Sequence, residues 1–193
     1  MTSVNIIGDF WGITGFASHV RGLSRALKKL NEATTVETQM PSGWEKNVDD
    51  LSFSLVSKPG DSTAWQVFIT NPLMAQYKLR EKNKGILPFM VFEGDKAPKQ
   101  WAELGKKFRK VLVPSQHTKT ALMNAGLEEE RIVIIPHGVD LSVFKPKEKP
   151  RNEKCTFLWN KGWSKGINDR SGFHSVLQAF CEEFKHEEAV KLV

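Results

Sequence analysis

Short apolar runs rich in β-branched residues recur along this 193-residue chain, separated by helix-length segments, and that alternation narrows the fold more than any other feature. The runs are Val4 to Ile7, Thr35 to Thr38, Leu51 to Val56, Val67 to Ile69, Ile86 to Phe92, Val111 to Val113 and Ile132 to Ile135. Such alternation with helical segments is the signature of a parallel sheet wrapped by helices. The expected fold is therefore α/β, with a Rossmann-like, mostly parallel sheet. No internal repeat or low-complexity tract competes with it.

Helices can be placed between the runs with a mechanism for each. Val20, Leu23, Leu27 and Leu30 recur at helical spacing, which predicts a helix from about Phe16 to Leu30 packed on the first strand. Trp101, Leu104 and Phe108 repeat the pattern after Pro98, a residue suited to the first helical turn because its missing N–H has no partner there anyway. Ser115 is placed to cap a helix running through Met123, and Gly126 to close it in a left-handed turn. After Ile135 the chain turns rich in proline and cations, with Lys145, Lys147, Lys149 and Arg151 close together and little apolar periodicity, so it reads as a linker. Beyond it lie a buried-strand run, Cys155 to Trp159, an amphipathic helix marked by Phe173, Val176, Leu177, Phe180 and Phe184, and a strand-like Ala189 to Val193.

The organisation expected is a domain over 1–145, a linker over 146–153 and, over 154–193, the opening of a second α/β domain. That last stretch is close to the roughly 40 residues below which domains seldom fold alone, so the second domain is expected to be incomplete. Composition is that of an ordinary globular protein, 40% apolar and 26% charged. Cys155 and Cys181 have no C-x-x-C spacing, which points away from a zinc site or disulfide framework and toward a reducing cytoplasm. No window approaches a membrane span. The net charge of +6 favours anionic partners, phosphorylated ligands or an anionic membrane surface contacted peripherally. Nucleic acid has only that charge in its favour, and the basic residues are scattered as on solvated helix faces.

The chemistry-bearing residues begin after the first strand, where Asp9-Phe-Trp-Gly12-Ile-Thr14-Gly15-Phe leads into the first helix. A glycine-rich turn at a helix start presents backbone N–H groups and the positive end of the helix dipole, so Gly12, Thr14 and Gly15 are candidates for holding a phosphate. Steric relief in a tight turn is the plainer reason for such glycines, and the spacing is G-x-x-G rather than the dinucleotide pattern G-x-G-x-x-G. Glu93 and Asp95 follow a predicted strand at the end where doubly wound sheets build their sites, and are candidates for contacting an acceptor. For Asp95 a plain turn residue is the competing reading. His19, His117 and His137 show no ligand spacing.

Two stretches are more specific. Val113-Pro114-Ser115, and then Ile135-Pro136-His137-Gly138-Val139-Asp140 with Phe144 and Pro146 in step, closely resemble the signature of the family 4 glycosyltransferases of GT-B fold. Gly12 to Leu27 resembles that family's glycine loop and following helix, and Phe157 to Gly162 and Arg170 to Phe180 resemble the opening of its donor domain. The resemblance implies transfer of a sugar, with retention, from a nucleotide-diphosphate-sugar donor to a hydroxyl on a glycan, lipid or small molecule. It implies no bound metal or cofactor.

The family's usual G-R and K-G cations do not stand in this sequence as such. Lys161 falls near the arginine's place and Ser171 where the lysine is expected, leaving Lys165 or Arg170 to serve. A departing diphosphate needs positive charge on its oxygens, so Lys161, Lys165 and Arg170 are the donor candidates, and Glu93, Lys161 and Arg170 the catalytic ones. The chain alone is expected to be inactive and to bind donor weakly or not at all, with its Phe173 to Phe184 face covered by another surface such as a second copy. The alternative is a nucleotide-binding Rossmann-like module without transfer activity.

Overall fold

In the computed structural model the described residues are 3–12, 14–30, 34–37, 56, 64–80, 85–146, 154–160, 171–184 and 189–193. They fall into two compact units, Met1–Phe144 and Lys145–Val193.

The first unit is a parallel sheet. Strands β1 (Val4–Gly8), β2 (Thr34–Glu37), β3 (Trp65–Ile69) and β4 (Gly85–Pro88) lie in the order β2-β1-β3-β4. Strands β5 (Val111–Val113) and β6 (Ile132–Ile134) form a second parallel pair. A parallel bridge between Phe89 and Leu112, with the Met90 N–H donating to the Leu112 carbonyl at 2.8 Å, joins the two sets. The spatial order is thus 2-1-3-4-5-6, and the α/β, mostly parallel architecture is as the alternating runs require.

Adjacent strand residues feed opposite faces, which is why these strands are largely apolar, with Asn5, Thr34 and Gln66 as buried polar exceptions. Ile6, Val67 and Ile69 pack with Phe10, Val20, Phe89 and Leu112 on the side of helix α1 (Gly15–Leu30). Their neighbours Ile7 and Phe68 pack with Ala75, Ile86, Leu104 and Phe108 on the other. Val111 and Val113 join Met90, Ala102, Leu122 and Ile132 in a third cluster. Helix α2 (Lys99–Gly105) and helix α3 (Gln116–Asn124) cover this part of the sheet.

Several local expectations are met and several corrected. Ser115 caps α3, its Oγ accepting from the Thr118 N–H at 3.2 Å, and Gly126 follows with φ +97°. Pro98 is the residue before α2, with ψ 135°, and the first turn begins at Lys99 instead; its carbonyl accepts from Trp101 N–H at 2.9 Å. Leu30 is 84% exposed, not packed on the first strand. A 16-residue helix is about 24 Å long, whereas the five-residue β1 reaches only about 17 Å, so α1 outruns it. The strand expected over Ile86 to Phe92 ends its ladder at Phe89, and the chain then turns. Of the strand expected over Leu51 to Val56, only Val56 is described, in a parallel bridge to Val36; residues 51–55 and Thr38 lie outside the described residues.

In the second unit, β7 (Cys155–Phe157) pairs in parallel with β8 (Val190–Leu192). Helix α4 (Phe173–Glu183) follows Gly172, which has φ +72°. Phe157 contacts Phe180 and Phe184 at ring separations of 5.9 and 5.3 Å, and Trp159 contacts Phe173 at 5.0 Å. The buried strand expected from Cys155 to Trp159 is corrected: β7 spans three residues and all three are exposed. Among the described residues α4 alone packs on this two-stranded sheet, too little to cover both faces.

Candidate functional site

In open parallel sheets, ligands sit outside the carboxyl ends of the strands where the strand order reverses. Here the order reverses at β1, which has β2 on one side and β3 on the other. Two chain segments leave the sheet at that point, the glycine loop after β1 and Thr70-Asn71-Pro72 after β3.

The glycine loop is organised from within by two charged side chains. Asp9 accepts from the Gly12 N–H at 2.9 Å through Oδ1 and from the Thr14 hydroxyl at 3.3 Å through Oδ2. Thr14 in turn caps α1, its Oγ1 accepting from the Ala17 N–H at 3.2 Å and its carbonyl from the Ser18 N–H at 3.0 Å. Arg21, on α1, donates through one guanidinium nitrogen to the carbonyls of Phe10 (2.6 Å) and Gly12 (2.9 Å). A hydrogen bond to a charged partner is about twice as strong as a neutral one, so these contacts hold the turn in one shape.

The three glycines of this region differ in what they are for. A Cβ on Gly8 would lie 2.5 Å from the Ile69 carbonyl oxygen and 2.8 Å from Val20 Cγ2, so strand and helix close on it. A Cβ on Gly12 would strike the Asp9 carboxylate. Gly15, the first residue of α1, has nothing within 4 Å of such a Cβ. It stands in the helix's first turn, whose N–H groups have no acceptor within the helix.

Around the end of β3 a shallow depression is lined by Phe16, Thr70, Asn71, Pro72, Val91 and Trp101. Trp101 is half-buried and its ring is set edge-on against Phe92 at 5.6 Å. Asn71 accepts from the Leu73 N–H at 3.0 Å and starts the 3₁₀ segment Pro72–Arg80.

Glu93 and Asp95 both occur as exposed residues on the loop after β4. That loop is fastened to α3: the Thr118 hydroxyl donates to the Phe92 carbonyl at 3.3 Å, His117 Nε2 lies 3.3 Å from the Glu93 carbonyl, and Asn124 donates to the Asp95 carbonyl at 2.9 Å. Lys161, Lys165 and Arg170 lie outside the described residues.

The segment after β6 carries an arrangement that spacing did not suggest. His137 meets His19 edge-on at 4.3 Å between ring centres, and both contact Phe89, at 5.6 and 4.4 Å. His19 Nδ1 is buried with no hydrogen-bond partner among the described residues. Burial, and secondarily the neighbouring His137, push the His19 pKa down to about 4, so the ring is neutral near pH 7. Asp140 accepts from Ser142 N–H (2.9 Å) and Oγ–H (2.6 Å), and its own carbonyl accepts from the N–H groups of Val143 and Phe144. It shapes the turn, and those bonds lower its pKa. Among the described residues no three His, Cys, Asp or Glu side chains are placed to hold a metal ion, and no helix is long and apolar enough to cross a membrane.

Sequence reasoning missed Asp9 and Arg21 as determinants of the loop. An acidic residue just past a strand and three positions before a glycine is an Asx-type turn signal, and it could have marked Asp9.

No protein-family model matches the chain, and no curated protein matches it. Among solved structures it is similar to HepE of Anabaena in complex with UDP-glucose, with a TM-score of 0.58 and 11% identity, covering 100% of this chain and 69% of that one. At this identity the likeness is one of fold.

Proposed function

We propose that this chain serves a nucleotide-sugar-dependent glycosyltransferase of the family 4 type, moving a sugar with retention from a nucleotide-diphosphate sugar to an acceptor hydroxyl. The observation that carries the reading is the fold-wide likeness to a protein solved with UDP-glucose, which spans both units of the chain. The motifs at Val113-Pro114-Ser115 and Ile135 to Asp140, and the glycine loop at the reversal of strand order, support it.

In this reading Lys161, Lys165 and Arg170 hold the donor diphosphate, supplying positive charge as the leaving group departs. Glu93 and Asp95 face the acceptor. Reaction through these groups uses no bound metal or cofactor.

Saturation-transfer NMR with UDP-glucose, which registers weak binding, tests the proposal on the chain as it is. Contact to the uridine and glucose protons is expected, reduced in Lys161→Ala and Arg170→Ala. Saturation of a nicotinamide dinucleotide or of an oligonucleotide, with none of UDP-glucose, would instead favour a binding module of another kind.

A further inference from the structure

The glycine loop already contains an anion. The Asp9 carboxylate takes the Gly12 N–H and the Thr14 hydroxyl, two of the donors that a phosphate on this loop would need, and it fills the space that the missing Gly12 side chain leaves. A phosphate placed on the same donors would have to displace a carboxylate or sit beside it, and like charges a few ångströms apart repel strongly where water is partly excluded; the cation of this loop, Arg21, is engaged with the Phe10 and Gly12 carbonyls. An independent feature agrees in sign: among the described residues the depression at Phe16 is lined by two aromatic rings, a hydroxyl, a carboxamide and two further apolar residues, with no cation.

Resting on the transferase reading above, we propose that Asp9 is a specificity-determining residue. It keeps phosphate off the glycine loop and assigns this end of the sheet to the uncharged, hydroxyl-bearing acceptor. Each carboxylate oxygen has a second lone pair, so Asp9 can accept from a ligand hydroxyl while still holding the loop. The ring of Trp101, set against Phe92, offers a flat apolar surface to the C–H face of a sugar, and Asn71 and Thr70 line the same depression. The donor diphosphate is then left to cations elsewhere in the chain.

Amide-resolved NMR of the whole chain tests this with three separate titrants: inorganic pyrophosphate, methyl glucoside and UDP-glucose. Pyrophosphate is expected to leave the Gly12, Thr14 and Gly15 resonances of the wild type in place. It should move them in Asp9→Ser and Asp9→Asn, with binding at the loop tightened on the order of ten-fold. Unmoved Val111 to Val113 amides certify that each variant is folded. Thr14→Val, which retains the carboxylate, should still exclude pyrophosphate, and methyl glucoside should move the Trp101 indole and Phe16 signals in the wild type. Wild-type loop shifts with pyrophosphate equal to those of Asp9→Ser, or no gain in either Asp9 variant, overturn the inference. So does methyl glucoside that leaves Trp101 and Phe16 untouched. The UDP-glucose arm reads the parent proposal separately: if it moves no resonance anywhere, the transferase reading fails, while the pyrophosphate contrast still reports on Asp9.

Discussion

Two glycines seven residues apart should respond to the same substitution with opposite signs. Gly8 pairs with Ile69 in the β1–β3 register, and a Cβ there meets the Ile69 carbonyl oxygen at 2.5 Å on one side and Val20 at 2.8 Å on the other. The first contact is with ladder backbone, which cannot swing aside, so the strand or the helix must move. Overpacking of this kind costs about 1–3 kcal/mol, and closure on both sides places Gly8→Ala in the upper half, about 2–3 kcal/mol. At about 2–4 °C per kcal/mol for a domain near 150 residues, the melting temperature should fall by about 4–12 °C. Gly15→Ala meets nothing within 4 Å and has no positive φ to protect. It removes unfolded-state freedom and improves the first turn, raising stability by about 0.5 kcal/mol. Thermal and urea denaturation of both variants, followed by circular dichroism, decide the matter. Equal loss in both, or no loss in Gly8→Ala, would refute the assignment of Gly8 to packing and Gly15 to open space. Should Gly15→Val keep its stability yet lose activity in an assembled enzyme, the space before Gly15 is ligand space.

Three further outcomes are expected. His19 is neutral in the native state down to about pH 4 and titrates near 6.5 when unfolded; the unfolded chain therefore binds the extra proton as pH falls through that window, and the stability present above pH 6.5 is lost toward pH 4. His19→Phe, which retains the ring contacts, should flatten that part of the pH–stability profile relative to wild type, and parallel profiles would count against it. Ser115→Ala removes the cap on Thr118 N–H and should cost about 1 kcal/mol by urea denaturation, with Ser115→Asp restoring most of it. Leu122→Ala, at a fully buried position, should cost about 2–5 kcal/mol, whereas Leu141→Ala, at a position 74% exposed, should change stability by less than about 0.5 kcal/mol.

What could be read from the sequence, and what could not, divides by the range of the interaction. Val111 to Val113 announce a strand buried on both faces because neighbouring residues enter different clusters, Leu112 one and Val111 and Val113 another. Ser115 and Gly126 are similarly readable, since a cap or a left-handed turn is settled within a few residues. Leu30 was misplaced because spacing gives the face of a helix but not where the sheet beneath it stops. Trp101, Leu104 and Phe108 look like one stripe, yet α2 ends at Gly105, and Trp101 packs toward Phe92 while Leu104 and Phe108 fill the opposite cluster. The His19–His137 contact joins residues from the two ends of the first unit, and no local pattern encodes it. The glycine loop is the instructive intermediate case. Its place between the first strand and the first helix followed from the alternation of elements, but its polarity did not, because that depends on which acceptor claims its donors. Asp9 lies only three residues from Gly12 and five from Thr14. The donors of a glycine loop are open to a ligand only where no nearby side chain takes them first, and in this chain a carboxylate already takes the Gly12 N–H and the Thr14 hydroxyl.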